Sequence, residues 1–208
     1  MNKLRLYLLF FALIFVISCQ DNSAQVHVGA VDYYQSLDEY PKRLTTHFPK
    51  IKEIKSDYEI HYTYLSKFSP SQLILKQKES KLIIDSLISV SRKIIYSDTS
   101  CYIVNKYLRD SNILSITKNY EQFKTQTDYK AAVPIPNFYT ISDFDENSYN
   151  LLNNSYTIYL IEAEHKQCCS EKFHRGAWHM PDDWKDGVSR GYAINLENNS
   201  VIYWLVIW

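Results

Sequence analysis

Apolar residues recur every three or four positions in two stretches of the chain, a spacing that places them on one face of a helix. The first stretch covers residues 32–55, and Pro41 in its interior and Pro49 near its end predict an interrupted helix. The second stretch covers residues 80–97. Its stripe consists of Ile83, Ile84, Leu87, Ile88, Ser91, Ile94 and Ile95. Both stretches predict helices that bury one face and expose the other.

Strict alternation of apolar and polar residues, which is typical of a half-buried strand, covers residues 58–64. Shorter apolar runs predict three further strands, at residues 72–76, 101–107 and 156–163. Pro134 and Pro136 favour an extended backbone over residues 132–138. The middle of the chain therefore contributes strands that are separated by one helix.

The C-terminal residues predict a β-hairpin, with strands at 192–196 and 201–208 joined by a four-residue connection at 197–200. The last strand is apolar on both sides, so we expect it inside the sheet with both faces covered. Together these elements predict a single α+β domain over residues 32–208. Its sheet is mostly antiparallel, with one or two packed helices and the C-terminal hairpin.

Composition and charge exclude some classes of function. The 208 residues balance 23 basic against 23 acidic side chains, and no basic stripe of the kind that binds nucleic acid is present. The chain has only four glycines, and it lacks the G-x-S-x-G, phosphate-loop, H-E-x-x-H, S-x-x-K and C-x-x-C motifs. We therefore expect no nucleic-acid partner, and binding rather than catalysis.

The N-terminus has the pattern of an export signal. Lys3 and Arg5 precede twelve uncharged residues, 6–17, a run shorter than the roughly 20 apolar residues that a membrane-spanning helix needs. The sequence Val-Ile-Ser-Cys that ends at Cys19 resembles the lipobox of bacterial lipoproteins. Two alternatives are an ordinary secretory signal, in which Cys19 is accidental, and an uncleaved anchor.

The lipoprotein resemblance covers residues 1–22 only and implies a mode of processing. Residues 1–18 would be a signal peptide, Cys19 would carry the lipid, and residues 19–31 would be a flexible tether. The resemblance implies a lipid-anchored protein of the bacterial cell envelope. Gln20, which follows the cysteine, favours sorting to the outer membrane.

Three cysteines remain after lipidation of Cys19, namely Cys101, Cys168 and Cys169. In an oxidising compartment an odd number indicates one disulfide and one thiol, or a metal site. We expect a bridge from Cys101 to one of the other two. It would close a loop of about 67 residues and stabilise the fold by about 4 kcal/mol in the chain-entropy model. A bridge between the adjacent cysteines is disfavoured because it would be strained.

Residues 165–191 form the predicted long loop between two strands, and long loops are often functional. One hypothesis is a zinc or copper site, because imidazole and thiolate are suitable ligands. Its ligands would come from His165, Cys168, Cys169, His174 and His179. The spacing of these residues matches no familiar zinc pattern, so no cofactor is predicted.

The second hypothesis is a recognition loop. Its contacts would come from Trp178, His179, Met180, Trp184 and Arg190, which include types enriched at binding hot spots. The alternative is that Trp178 and Trp184 pin the loop over the sheet edge. We expect a non-catalytic binding or structural module whose partner is an envelope protein or a glycan. A metal-binding protein or hydrolase-type enzyme that uses the His/Cys cluster is the alternative function.

Overall fold

The computed structural model of this chain describes residues 25–26, 30–63, 70–94, 101–104, 132–136, 156–173, 180 and 182–208. The signal segment, Cys19, His174, Trp178 and His179 lie outside these ranges, so the predictions about them stay predictions. No helix within the described ranges has the length and hydrophobicity needed to cross a membrane.

The described part of the chain contains three α-helices and nine strands. The helices are α1 (Ala30–Glu39), α2 (Lys42–Thr45) and α3 (Lys81–Ser89). The strands are β1 (Gln25–Val26), β2 (Glu59–Thr63), β3 (Ser71–Lys78), β4 (Arg92–Ile94), β5 (Cys101–Ile103), β6 (Val133–Ile135), β7 (Tyr156–Glu164), β8 (Val188–Asn195) and β9 (Ser200–Ile207). Single 3-10 turns occur at Ile51–Glu53 and Asp182–Trp184.

Seven strands form one sheet in the order β1-β2-β3-β9-β8-β7-β4, and all neighbouring pairs are antiparallel. Strands β5 and β6 form a separate parallel pair. The C-terminal hairpin joins β8 to β9, and β9 lies between β3 and β8. The predicted α+β class, the mostly antiparallel sheet and the C-terminal hairpin are confirmed.

A buried cluster of side chains covers each face of the sheet. β9 contributes to both clusters, because its successive apolar side chains point to opposite sides. We call one side the helix face. Its buried cluster includes Tyr33, Tyr40, Leu44, Phe48, Ile84, Val201, Tyr203, Leu205 and Ile207. We call the other side the strand-pair face. Its cluster includes Cys101, Val104, Ile135, Met180, Trp184, Ile202, Trp204, Val206 and Trp208. Every residue of β9 is buried, as a strand with two apolar sides requires.

The helix predicted over residues 80–97 is shorter than expected. The side chain of Ser80 caps its start, and the helix ends at Ser89. Residues 92–94 then form β4, which pairs with β7 at the sheet edge. Backbone pairing with β7 takes precedence over the helical period here, because it satisfies the hydrogen bonds of both strands.

The first predicted helix is divided as its prolines indicate. Helix α1 ends at Glu39, Pro41 precedes α2, and a 3-10 turn follows Pro49. A proline inside a helix removes one backbone donor and clashes with the preceding turn, so each proline begins a new segment. The short segments can then bend over the helix face.

Candidate functional site

The loop between β7 and β8 is shorter than the sequence predicted. Strand β8 begins at Val188, so Arg190 lies in the sheet and the loop covers residues 165–187. We call this segment the β7–β8 loop. Phe173, from its first half, is buried in the helix-face cluster, where its ring stacks on Tyr40 with centroids 6.1 Å apart. Met180 and Trp184, from its second half, are buried in the strand-pair cluster. The loop is therefore anchored on both faces of the sheet.

Trp184 is part of the protein core. Its side chain is only 1% exposed, and the imidazole ring of His165 stacks on it with centroids 3.9 Å apart and an interplanar angle of 13°. Tyr102 contacts the same ring edge-on at 5.9 Å. A ring that is this deeply buried is not available to a partner. The geometry assigns Trp184 the pinning role rather than the recognition role.

Trp208 holds the end of the β7–β8 loop. Its backbone N–H donates to the carbonyl of Gly187 at 3.1 Å and its carbonyl accepts from Gly187 N–H at 3.0 Å. Its indole Nε1 donates to the carbonyl of Trp184 at 2.6 Å. A Cβ at position 187 would collide with the Trp208 ring, so the close approach of the two backbones requires glycine.

Arg190 takes part in an ion-pair network on the helix face. It lies opposite Glu162 in the sheet, and its Nε donates to Glu162 Oε2 at 2.7 Å. Its Nη1 donates to the backbone carbonyls of Arg43 and Leu44 in α2, at 3.0 and 3.3 Å. The Arg190 and Glu162 side chains are 14% and 18% exposed. Arg190 therefore joins α2 to the sheet and is not an open binding group.

Arg43 extends this network to the β7–β8 loop. Its Nη1 donates to Glu162 Oε1 at 3.2 Å, and its Nη2 donates to the Cys168 carbonyl at 2.9 Å. A β-bulge between Leu160 and Glu162 shifts the register of β7. Bulges redirect side chains, and here the shift brings Glu162 to the face where both arginines lie. Two guanidinium groups share one carboxylate, so the network carries a net positive charge.

The structure does not bring Cys101 close to the other two cysteines. Cys101 is buried in the strand-pair cluster, whereas Cys168 and Cys169 pack against the helix-face cluster. The sheet separates them, and no disulfide occurs in the described part of the chain. The expected bridge from Cys101 is not supported. The Sγ atoms of Cys168 and Cys169 lie 3.4 Å apart.

The proposed ligands do not converge where the structure describes them. His165 stacks on Trp184 of the strand-pair face, whereas Cys168 packs on the helix face. Burial lowers the pKa of His165, and the nearby Asp183 carboxylate partly opposes that shift. No group of three potential ligands occurs within the described ranges. His174 and His179 lie outside them, so their part of the hypothesis stays a prediction.

Sequence reasoning missed a buried polar cluster beneath the helices. Glu79 is 7% exposed, and its Oε1 accepts from the Tyr203 hydroxyl at 2.6 Å and from Gln77 Nε2 at 2.5 Å. Burial, together with the hydrogen bond and the negative charge of Glu79, raises the pKa of Tyr203 strongly. Glu79 directly follows β3, a strand predicted from a short apolar run, and that pattern gave no signal that the carboxylate is buried.

His47 was also missed. Its Nε2 lies 2.9 Å from the Trp204 carbonyl, so that nitrogen carries the proton and donates it. Its ring contacts Phe48 at 4.5 Å and Tyr192 at 5.7 Å. Burial lowers the pKa of His47 to about 3, although the Trp204 carbonyl opposes the shift. This partly buried histidine is neutral near pH 7 and packs against two aromatic residues of the helix-face cluster.

Comparison with known proteins gives no assignment, because no family model, curated protein or solved structure matches this chain.

Proposed function

We propose that this chain is a lipid-anchored protein of the bacterial cell envelope, attached through Cys19 and sorted to the outer membrane. Its domain is a non-catalytic binding or structural module, and the β7–β8 loop is the surface that contacts the partner. The export pattern of residues 1–19 supports the anchor. Several acyl chains on Cys19 would hold the protein stably, since each buried methylene contributes about 0.8 kcal/mol.

The observation that carries the binding proposal is the anchoring of the β7–β8 loop on both faces of the sheet. Phe173 fixes its first half, Trp184 fixes its second half, and Trp208 holds its end. A loop that is anchored at several points loses less entropy on binding than a loop without such anchors does. This smaller entropy loss favours a recognition role for a connection of this length.

The exposed side chains of the β7–β8 loop carry both signs of charge. Lys166, Glu171, Lys172, Asp183 and Lys185 are exposed or largely exposed. Trp178 and His179 belong to the same segment and remain the aromatic contacts predicted from the sequence. Mixed charges beside aromatic groups suit an envelope protein or a glycan as the partner.

The mass of the protein purified from its native membrane tests the anchor. We expect a mass equal to residues 19–208 plus lipid, and an unlipidated or full-length mass would refute the anchor. Metal analysis of the same sample tests the alternative function. Stoichiometric zinc or copper that is lost in a His165→Ala variant would favour the metal-binding alternative.

Photo-cross-linking in intact cells tests the loop. A photoreactive phenylalanine analogue is placed at Lys172 or Lys185, and a matched control carries it at exposed Lys81 on α3. We expect a discrete cross-linked product from the two loop positions and none from Lys81. Digestion of the product with a muramidase separates a glycan partner from a protein partner. No product from the loop positions, or the same product from Lys81, would refute the proposal.

A further inference from the structure

We propose that Cys168 and Cys169 are a redox-active pair that closes to a disulfide by exchange with a small-molecule or protein disulfide. We further propose that closure acts on the Arg43–Glu162–Arg190 network. The physiological part of this inference rests on the proposed export of the chain, because disulfides form mainly in oxidising compartments. The chemistry itself depends only on the geometry of the pair.

The two thiols are in contact within the folded protein. Their sulfur atoms are 3.4 Å apart, and a disulfide bond is about 2.05 Å long. Closing the remaining gap requires rotation of both side chains and an adjustment of the peptide group between them. Cys101 lies on the opposite face of the sheet, so it does not compete as a partner. The adjacent pair, disfavoured on strain from the sequence alone, is the pair that the fold brings together.

The reaction proceeds in two exchange steps. In the first step, the Cys169 thiolate attacks one sulfur of an external disulfide such as oxidised glutathione, and one glutathione thiolate leaves. In the second step, the Cys168 thiolate attacks the Cys169 sulfur of the mixed disulfide, and the second glutathione leaves. The two protons lost from the cysteines end on the two glutathione thiols. The pair is oxidised by two electrons and the glutathione disulfide is reduced by two.

The surroundings distinguish the two cysteines. Cys168 Sγ donates a hydrogen bond to Cys169 Sγ, and the positive charges of Arg43 and Lys172 also favour the Cys169 thiolate. Burial raises the pKa of both thiols, and it contributes most to raising the pKa of Cys168 to about 12. Cys169 is therefore the first nucleophile, and the exchange is slow near neutral pH because little thiolate is present.

Closure of the pair reaches the ion-pair network through one peptide group. The ring formed by the disulfide contains the carbonyl carbon of Cys168, and the oxygen on that carbon accepts from Arg43 Nη2 at 2.9 Å. Arg43 also donates to Glu162, which pairs with Arg190. A rotation of this peptide group therefore changes the contact between the β7–β8 loop and α2.

Peptide mapping of the full chain, purified from membranes and equilibrated in glutathione buffers, tests the pair. Trypsin releases one peptide, 167–172, that holds both cysteines, and another, 94–106, that holds Cys101. Under oxidising conditions we expect peptide 167–172 to resist alkylation and to be lighter by two hydrogen atoms. Full alkylation of this peptide in every buffer, or a cross-link between the two peptides, would overturn the proposal.

Serine variants test the order of the steps. Cys168→Ser should stop at a stable mixed disulfide on Cys169, whereas Cys169→Ser should react more slowly with glutathione disulfide. Cys101→Ser should behave as the natural chain. Equal rates for the first two variants would refute the assigned order. The lipid is measured on the N-terminal peptide, so failure of the anchor and failure of the thiol chemistry are read separately.

A separate measurement tests whether closure of the disulfide acts on the network through Arg43. We expect oxidation to shift the thermal midpoint of the natural chain, and we expect this shift to shrink in Arg43→Gln. Lys81→Gln, which removes a positive charge from an exposed position on α3, is the matched control and should keep the shift. An equal shift in all three proteins would show that closure does not act through Arg43.

Discussion

Replacing Trp184 by alanine should cost the domain a large part of its stability. The side chain is 1% exposed, stacks on His165 and contacts Tyr102 edge-on, so the substitution removes a ring packed within the core. A buried tryptophan covers about 150–250 Å², which at about 25 cal/mol per Å² corresponds to about 4–6 kcal/mol. This value is an upper bound because the unfolded chain already buries part of the ring. We expect a loss of about 3–5 kcal/mol in the free energy of unfolding.

Urea unfolding followed by far-UV circular dichroism measures this loss, since that signal comes mainly from the backbone and not from tryptophan fluorescence. The slope of the free energy against urea should be unchanged while the midpoint falls. Trp184→Phe keeps a ring against His165 and should lose less. Lys185→Ala changes the neighbouring exposed side chain and should stay within about 0.5 kcal/mol of the natural chain. A loss below about 1 kcal/mol for Trp184→Ala would refute the pinning role.

Three further substitutions test the buried groups. Tyr203→Phe removes the donor to Glu79 and should cost about 1–3 kcal/mol in the same urea assay; a neutral result would show that the hydrogen bond adds nothing. The folded pKa of His47, about 3, lies below its ordinary value of about 6.5. The contribution of neutral His47 to the free energy of unfolding is therefore complete above about pH 6.5 and is lost as the pH falls toward 3. His47→Gln should therefore have a shallower fall in unfolding free energy over this range, and an equal fall would contradict the assignment. In Gly191→Ala the new Cβ would collide with the Tyr159 carbonyl. The melting temperature should therefore drop by an amount equivalent to about 1–3 kcal/mol. An unchanged melting temperature would count against that contact.

The positions of the strands were largely predictable because local periodicity reports them. Alternation over 58–64 predicted β2, and the double-sided apolar pattern of 201–208 predicted a buried final strand, as β9 is. Periodicity was less informative where pairing decided the outcome. Residues 92–94 continue a helical stripe in the sequence, yet they form β4 because β7 offers backbone partners.

The candidate site was only partly predictable, because its residues meet across long sequence separations. Glu162, Arg43 and Arg190 come from β7, α2 and β8, and no local pattern relates them. Glu79 and His47 have no local signal either, since the same residue types are usually solvated at the surface. Their burial follows from which helix packs on which face.

The sequence by itself determined the class of fold, the C-terminal hairpin and the pattern that predicts export, because each depends on residues close together in the chain. Among the described residues of the β7–β8 loop, the tertiary structure decided which side chains are core and which are exposed, and it placed Trp184 in the core. It also placed Cys101 and the Cys168–Cys169 pair on opposite faces of the sheet. Such choices depend on packing between distant segments, and a one-dimensional pattern does not record those contacts.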